Sequence, residues 1–240
     1  MRLELLDCVL IHQVGMTYPP AGGVYRLRFE AGTMDERICA ARRWFAKQGR
    51  EQFVWWVGTS ATPQDLEERL LNLGATRWED GVIASMLTEQ PPPEVEGVEV
   101  RRVETFEDFV TAREIGWAVA DFTEQQAQET RASLPEKWAE RVRTDSGASY
   151  LAYVDSEPVA SGDMVFVPFA CFLSGASTWP EYRGRGAFRA LVRARWDEAV
   201  RRGTPALVVG AGAMSRPILE RIGFTAVAEQ HLLLDRATSS

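Results

Sequence analysis

The 240-residue chain contains only two histidines and three cysteines, and Cys8, Cys39 and Cys171 lie far apart with no Cys-x-x-Cys pair among them. Zinc sites draw on closely spaced Cys and His ligands, so no metal is expected. The thiols are expected to be free and buried. No run of eighteen apolar residues occurs, as a membrane-spanning helix would need. Glu4 and Asp7 interrupt the start of the chain where a secretory signal requires an apolar stretch, and a cytoplasmic location is expected. An excess of cations is missing too. The formal net charge is −7 at pH 7, which disfavours nonspecific nucleic-acid binding. Neither a nucleic-acid nor a membrane partner is therefore expected. Two nucleotide-binding signatures are also absent, the Gly-Lys-Ser/Thr of a Walker loop and the Gly-x-Gly-x-x-Gly that follows the first strand of a dinucleotide fold. What remains is a chain 45% hydrophobic and 25% charged, typical of globular proteins and about long enough for two small domains.

The clearest break is the proline run in Thr88-Glu89-Gln90-Pro91-Pro92-Pro93-Glu94, which neither a helix nor a central strand accepts. It divides the chain into a domain over 1–90, a linker over 91–96 and a domain over 97–236. In the first part, Thr33-x-x-Glu36 is a capping-box signature for a helix that buries Ile38, Ala41 and Phe45 and stops at Gly49. Residues 53–57, Phe-Val-Trp-Trp-Val, suit a buried strand, so both tryptophans are assigned to core. Thr62-Pro63 is expected to open a helix with Leu66, Leu70 and Leu73 on one face and Gly74 at its end.

In the second part a strand over 98–103 precedes a helix capped by Thr105 and running to about Asp121. A further helix follows Thr123-x-x-Gln126 and breaks near Pro135. Strands over 150–154 and 159–166 flank a hairpin turn at Asp155-Ser156-Glu157-Pro158, and a third strand spans 171–178. A helix then places Phe188, Leu191, Val192, Trp196, Ala199 and Val200 on one side and Arg189, Arg193, Arg201 and Arg202 on the other. A strand at 206–209, a short helix opened by Ser215-Arg216-Pro217 and closed by Gly223, and a last strand over 230–234 complete the order βααβββαβαβ.

Between the third strand and the arginine-studded helix lies Pro180-Glu181-Tyr182-Arg183-Gly184-Arg185-Gly186-Ala187. A glycine-bearing turn entering a helix is anion-binding geometry. First-turn amides lack intrahelical partners, the helix dipole favours negative charge, and glycines let the backbone approach phosphate oxygens. Arg183 and Arg185 add cationic donors. A solvated basic turn that merely caps the helix is the competing reading.

This stretch resembles the GNAT superfamily of acyl-CoA-dependent N-acetyltransferases, whose signature is Arg/Gln-x-x-Gly-x-Gly/Ala between a strand and a helix. Arg183-Gly184-Arg185-Gly186 matches its first four positions, and Leu219-Glu220-Arg221-Ile222-Gly223-Phe224 looks like the family's closing helix with its terminal Gly-Phe. The resemblance spans roughly residues 97–236. It implies an α+β class, a GNAT fold whose central, mostly antiparallel sheet is flanked by helices, with the first part forming a second, smaller α/β domain. It also implies acetyl-CoA as co-substrate, with amides of Ala176, Ser177 and Thr178 contacting pantetheine and thioester. Arg183, Gly184, Arg185, Gly186, Ala187 and Phe188 would hold the pyrophosphate. The acceptor would be a small-molecule or peptide amine. Leu70-Leu71-Asn72-Leu73-Gly74-Ala75 echoes the closing-helix motif, so the first part reads as a degenerate GNAT-like domain that shapes an acceptor cleft or a homodimer surface.

Three departures bear on mechanism. Phe188 replaces the small residue that ends the signature, Leu219 stands where many members carry a tyrosine acid, and residues 171–178 include no glutamate base. Asp163 is the best-placed remaining acid, weighed against a surface-facing aspartate, and Ser215 could protonate sulfur or orient water, weighed against a helix cap. His231, alternating with apolar neighbours on the last strand, reads as a partly exposed or satisfied histidine. Two functions stand against each other: an N-acetyltransferase, and a non-catalytic acyl-CoA-binding or interaction module.

Overall fold

The computed structural model describes residues 1–12, 19–120 and 122–238, and the backbone alone at 79–81. In chain order the elements are β1 (Arg2–Glu4), β2 (Val9–His12), β3 (Gly22–Tyr25), α1 (Met34–Lys47), β4 (Gln52–Gly58), α2 (Leu66–Asn72), β5 (Thr76–Thr88) and β6 (Glu99–Arg102). There follow α3 (Phe106–Val119), α4 (Glu124–Arg131), α5 (Leu134–Thr144), β7 (Gly147–Val154), β8 (Glu157–Val167) and β9 (Ala170–Thr178). The chain closes with α6 (Ala187–Arg201), β10 (Leu207–Ala211), α7 (Arg216–Arg221) and β11 (Thr225–Arg236). The class is the mixed α/β one expected. Among the described residues no helix is long and apolar enough to cross a membrane.

These elements form two compact units, one of Met1–Ser85, Ala211–Arg216 and Val227–Ser240, the other of Met86–Gly210 and Pro217–Ala226. In the first, the strands run β1-β2-β3-β4-β11. β3 and β4 are parallel, with Gly23 opposite Val54, and such a pair needs a crossover, which α1 supplies. The helix forms because Met34, Ile38, Ala41 and Phe45 recur at helical spacing and are buried. Phe45 stacks on Phe53 at 4.2 Å, and Trp55, Leu66 and Leu70 complete the core. Trp56 stacks at 5.3 Å on Tyr25.

Several local expectations for this unit are corrected. Thr33 makes no side-chain cap, because its hydroxyl donates to Glu30 O at 3.3 Å. Helix α2 opens at Leu66, not at Thr62, because Thr62 N donates to Leu27 O and Thr62 O accepts from Phe29 N. Leu73 follows the helix end and is exposed. Strand β11 is longer than 230–234 and, from Gln230 opposite Gly58 to Arg236 opposite Gln52, pairs antiparallel with β4 of the first unit. Its buried Asp235 accepts from Arg42 Nε at 3.0 Å and Trp55 Nε1 at 2.9 Å, which compensates a carboxylate that would otherwise be costly to bury. The thiols split: Cys8 and Cys171 are buried, whereas Cys39 is exposed.

The second unit orders its strands β10-β9-β8-β7-β6, antiparallel except for β10 with β9. Thr105 and Thr123 cap α3 and α4 through Asp108 N and Gln126 N. The position near Asp121 expected to end α3 lies outside the described residues. The helix after Thr123 ends at Arg131, near Pro135 as expected, but Pro135 itself sits in the first turn of a further helix, α5, where a missing N–H costs nothing. The order from residue 98 accordingly has three helices before β7. Phe109, Ala112 and Ile115 of α3 pack with Leu134 and Leu151. On α6, Leu191, Val192, Trp196 and Ala199 are buried as the periodicity requires, but Val200 is half exposed. The proline run lies along α6, where Arg193 donates to Pro92 O at 3.0 Å and pairs with Glu94 at 3.5 Å.

Candidate active site

Strand β9 changes partners partway along. Its parallel register with β10 covers Cys171, Phe172 and Leu173, whereas its antiparallel register with β8 continues to Thr178. The two neighbours thus part company with each other after Leu173. A bulge marks the place: Gly162 faces Ala176 while Asp163 faces Ser174, leaving Gly175 as the extra residue with φ +51°. Trp179 N donates to Val159 O at 3.0 Å. Hydrogen-bonded pairs alternate along an antiparallel ladder, so Ser177 bonds to β8 while the N–H groups of Ala176 and Thr178 point to the other edge, the one β10 has left. Of three expected amide donors, the ladder leaves two turned outward.

The turn after β9 delivers the chain to α6. Gly184 has φ +80° and Gly186 φ +93°, and Gly186 is the residue preceding the helix. A side chain there would be strained in conformation and would also bring a Cβ to 2.7 Å from Val95 Cγ1. Ala190 N makes the first intrahelical bond, to Gly186 O at 2.9 Å, so the amides of Ala187, Phe188 and Arg189 stand at the open end of the dipole. No acid occupies the first turn of α6. Arg183 is exposed and, among the described residues, makes no ion pair. Arg185 pairs with Asp155 at 3.2 Å and lies over the Tyr182 ring. Phe188 is half-buried, so its bulk turns partly inward.

Asp163 is neither surface-facing nor alone. Both its carboxylate oxygens accept from Arg113 Nη2 at 2.6 Å, Ser149 donates to its Oδ1, and Arg141 Nη1 lies 3.5 Å from that same oxygen while donating to Ser149. Gly175 is adjacent: a Cβ on it would sit 3.7 Å from Asp163 Oδ2. One turn along α3 from Arg113, Gly116 lets the helix approach Ser177 Oγ to 4.0 Å of where its own Cβ would be. On the other side of β8, the fully buried Arg195 donates to Asp163 O at 3.0 Å and to Leu191 O at 2.9 Å, which pins the bulge. Burial pushes its guanidinium down to about 10, partly offset by Asp163 and Tyr150, so it stays charged at neutral pH.

Position 219 of the closing helix holds a wholly buried leucine, which has no proton to give. Ser215 belongs to the first unit and donates to Gly212 O at 3.5 Å. His231, also there, meets Glu67 Oε2 at 2.6 Å.

Arg113, Arg141, Ser149 and Arg195 escape a reading of the sequence by motifs. A signal exists for two of them. Arg113 falls between Phe109 and Trp117 at four-residue steps, and Arg195 between Leu191 and Ala199, so each is a charge set into an apolar stripe. Such a residue needs a buried partner, and both have one.

No protein-family model and no curated protein matches the chain. Solved structures do. A GCN5-related N-acetyltransferase from Kribbella flavida superposes with a TM-score of 0.73 at 16% identity, over 98% of this chain and 89% of that one. Another from Sphaerobacter thermophilus gives 0.68 at 17% identity, over 98% and 82%. A tandem GNAT protein from the clavulanic acid biosynthesis pathway gives 0.67 at 14% identity, over 98% and 80%. Likeness at such identities speaks to the path of the backbone, and over nearly its whole length that path is the GNAT fold.

Proposed function

We propose that the chain is an N-acetyltransferase that moves an acetyl group from acetyl-CoA to an amine. The observation that carries this reading is the released edge of β9 next to a glycine turn at the start of a fifteen-residue helix. Acetyl-CoA fits those donors: an extended amide-bearing arm suits the outward N–H groups of Ala176 and Thr178, and a pyrophosphate suits the first-turn amides of α6 with Arg183 beside them.

Bound there, acetyl-CoA would supply an activated thioester carbonyl. A neutral amine attacks that carbon, the C–N bond forms as the C–S bond breaks, and the amine's proton leaves for the thiolate by way of solvent. The chain's part is to hold the reactants in line and to aim strand amides at the carbonyl oxygen, where such donors act most strongly. Ser177 anchors the donor strand to β8, and the bulge at Gly175 turns the next amides outward. Leu219 gives the thiolate no proton donor. Asp163 enters as the group that fixes Arg113 and Ser149 beside the bulge.

The test has two parts. Acetyl-CoA should stabilise the protein by about 2.7 kcal/mol at a hundredfold excess over Kd, and CoA should be released with at least one member of an amine library. Stabilisation without release from any amine would favour the second reading, a non-catalytic acyl-CoA-binding module, which Leu219 supports. If Asp163 takes the proton, Asp163→Asn cuts turnover by about 10²-fold. Turnover near that of the parent protein would restrict Asp163 to positioning.

A further inference from the structure

The cluster at Asp163 holds two guanidinium groups to one carboxylate. Among the described residues, Asp163 is the sole acid within 4.0 Å of either Arg113 or Arg141. Both arginine side chains are about one quarter exposed, so neither is sealed in nor fully hydrated. Their bonds to Asp163 and Ser149 use Nη2 of Arg113 and Nη1 of Arg141, and Arg113 Nε is buried with no partner. A structural ion cluster would be expected to balance its charge, because unpaired cations at partly dry sites are costly. Here Arg113 and Arg141 together exceed the charge of Asp163, and the buried Arg195 on the other side of β8, which Asp163 also helps to offset, adds to the positive excess.

Its location gives that surplus a use. The cluster touches Gly175, and α3 packs on Ser177, so it flanks the stretch of β9 whose next amides face the released edge. Phe109 lies beneath both arginines, with the two guanidinium carbons at 5.1 and 5.5 Å from its ring centroid, and holds their planes on one side. Two planar forks with spare N–H groups match a carboxylate, whose negative charge reduces the positive excess.

We propose that Arg113 and Arg141 bind a carboxylate on the acceptor, so that the substrates are amines bearing an acid group, of the amino-acid class. The inference rests on the acetyl-transfer reading and narrows it. Arg113 and Arg141 are specificity residues in it, and Asp163 positions them.

The experiment compares α-, β- and ω-amino acids with their own carboxamides, following CoA release by the intact protein, with acetyl-CoA affinity measured separately by calorimetry. The best acid should exceed its amide at least tenfold in kcat/KM, with the difference in KM. Arg141→Gln should raise KM for that acid tenfold or more, change kcat less than twofold and leave the Kd for acetyl-CoA unaltered, and Arg141→Lys should restore part of the loss. Amides used as well as acids, or an Arg141→Gln effect confined to kcat or to thermal stability, would overturn the inference while leaving acetyl transfer intact. Failure of acetyl-CoA to bind the parent protein would remove both. The comparison of acid with amide needs no variant, so a poorly folding substitution cannot obscure it.

Discussion

The molecule contains the same construction twice. In the first unit β3 passes through α1 to a parallel neighbour, β4, and in the second β9 passes through α6 to β10. Their surroundings differ. Both faces of β3 are filled, since a Cβ on Gly22 would lie 2.5 Å from Arg50 Nε and one on Gly23 2.8 Å from the Tyr25 hydroxyl and 2.9 Å from Trp56 Nε1, and the edge beyond it is taken by Thr62, which bonds to Leu27 O and Phe29 N. Helix α1 opens with Asp35 and Glu36, which neutralise the very dipole that an anion would need, whereas α6 opens with none and is entered through two left-handed glycines. A shared path of the backbone therefore does not carry a shared site. What makes an anion site is an unfilled edge and an uncompensated helix end.

The largest test of that contrast is one of stability. Phe45→Ala should cost about 3–5 kcal/mol of folding free energy, read by urea titration, since the ring is wholly buried against Phe53. Each unit holds one buried thiol, Cys8 and Cys171. Burial first and Asp7 second push Cys8 up to about 12, so it stays protonated and unreactive while the unit is closed. Pulse labelling should show Phe45→Ala speeding modification of Cys8 more than of Cys171. Equal acceleration would mean that the units open together.

Next in size is Gly186→Ala. A left-handed alanine costs roughly 1–2 kcal/mol, and the contact with Val95 adds to it, so acetyl-CoA affinity should fall about tenfold or more by calorimetry. Gly32→Ala, before α1, meets nothing within 4 Å and should leave affinity as it was. A smaller loss, about fivefold, is expected from Arg183→Ala, because an exposed ionic contact is worth at most about 1 kcal/mol. Arg193→Ala should stay within twofold, since Arg193 is tied to Pro92 and Glu94. Parity between these two variants would point to a diffuse basic face in place of a defined turn. The smallest effect belongs to Asp35→Asn combined with Glu36→Gln. It should lower stability by about 1 kcal/mol or less and add no second acetyl-CoA site. A gain in stoichiometry to two would show that those acids alone silence the first unit.

How much of this the sequence disclosed follows from the range of the interactions involved. The α6 stripe, the Gly184–Gly186 turn and the Thr105 and Thr123 caps are local, and periodicity or spacing suffices to find them. Pro135 marked the break after α4 but hid the start of α5, because the same residue stops a helix from inside and starts one from its first turn. Thr33 misled because its hydroxyl found Glu30, a competitor that no capping rule anticipates. The strands β1 to β3 are three or four residues long, too short for alternation to register. The Arg113–Ser149–Arg141–Asp163 cluster draws on α3, β7, α5 and β8, and only the fold brings those four segments together.

Strand β4 ends at Gly58, yet its partner along Gln230–Arg236 leaves the ribosome about 170 residues later. At translation rates of roughly 5–20 residues per second, that interval is on the order of 10 to 30 s. For that time the hydrogen-bonding edge of β4 lacks its strand, and Trp55 Nε1 and Arg42 await the carboxylate of Asp235. The nascent first unit therefore emerges early and matures last, which makes it the portion of the polypeptide most in need of a chaperone's cover during synthesis.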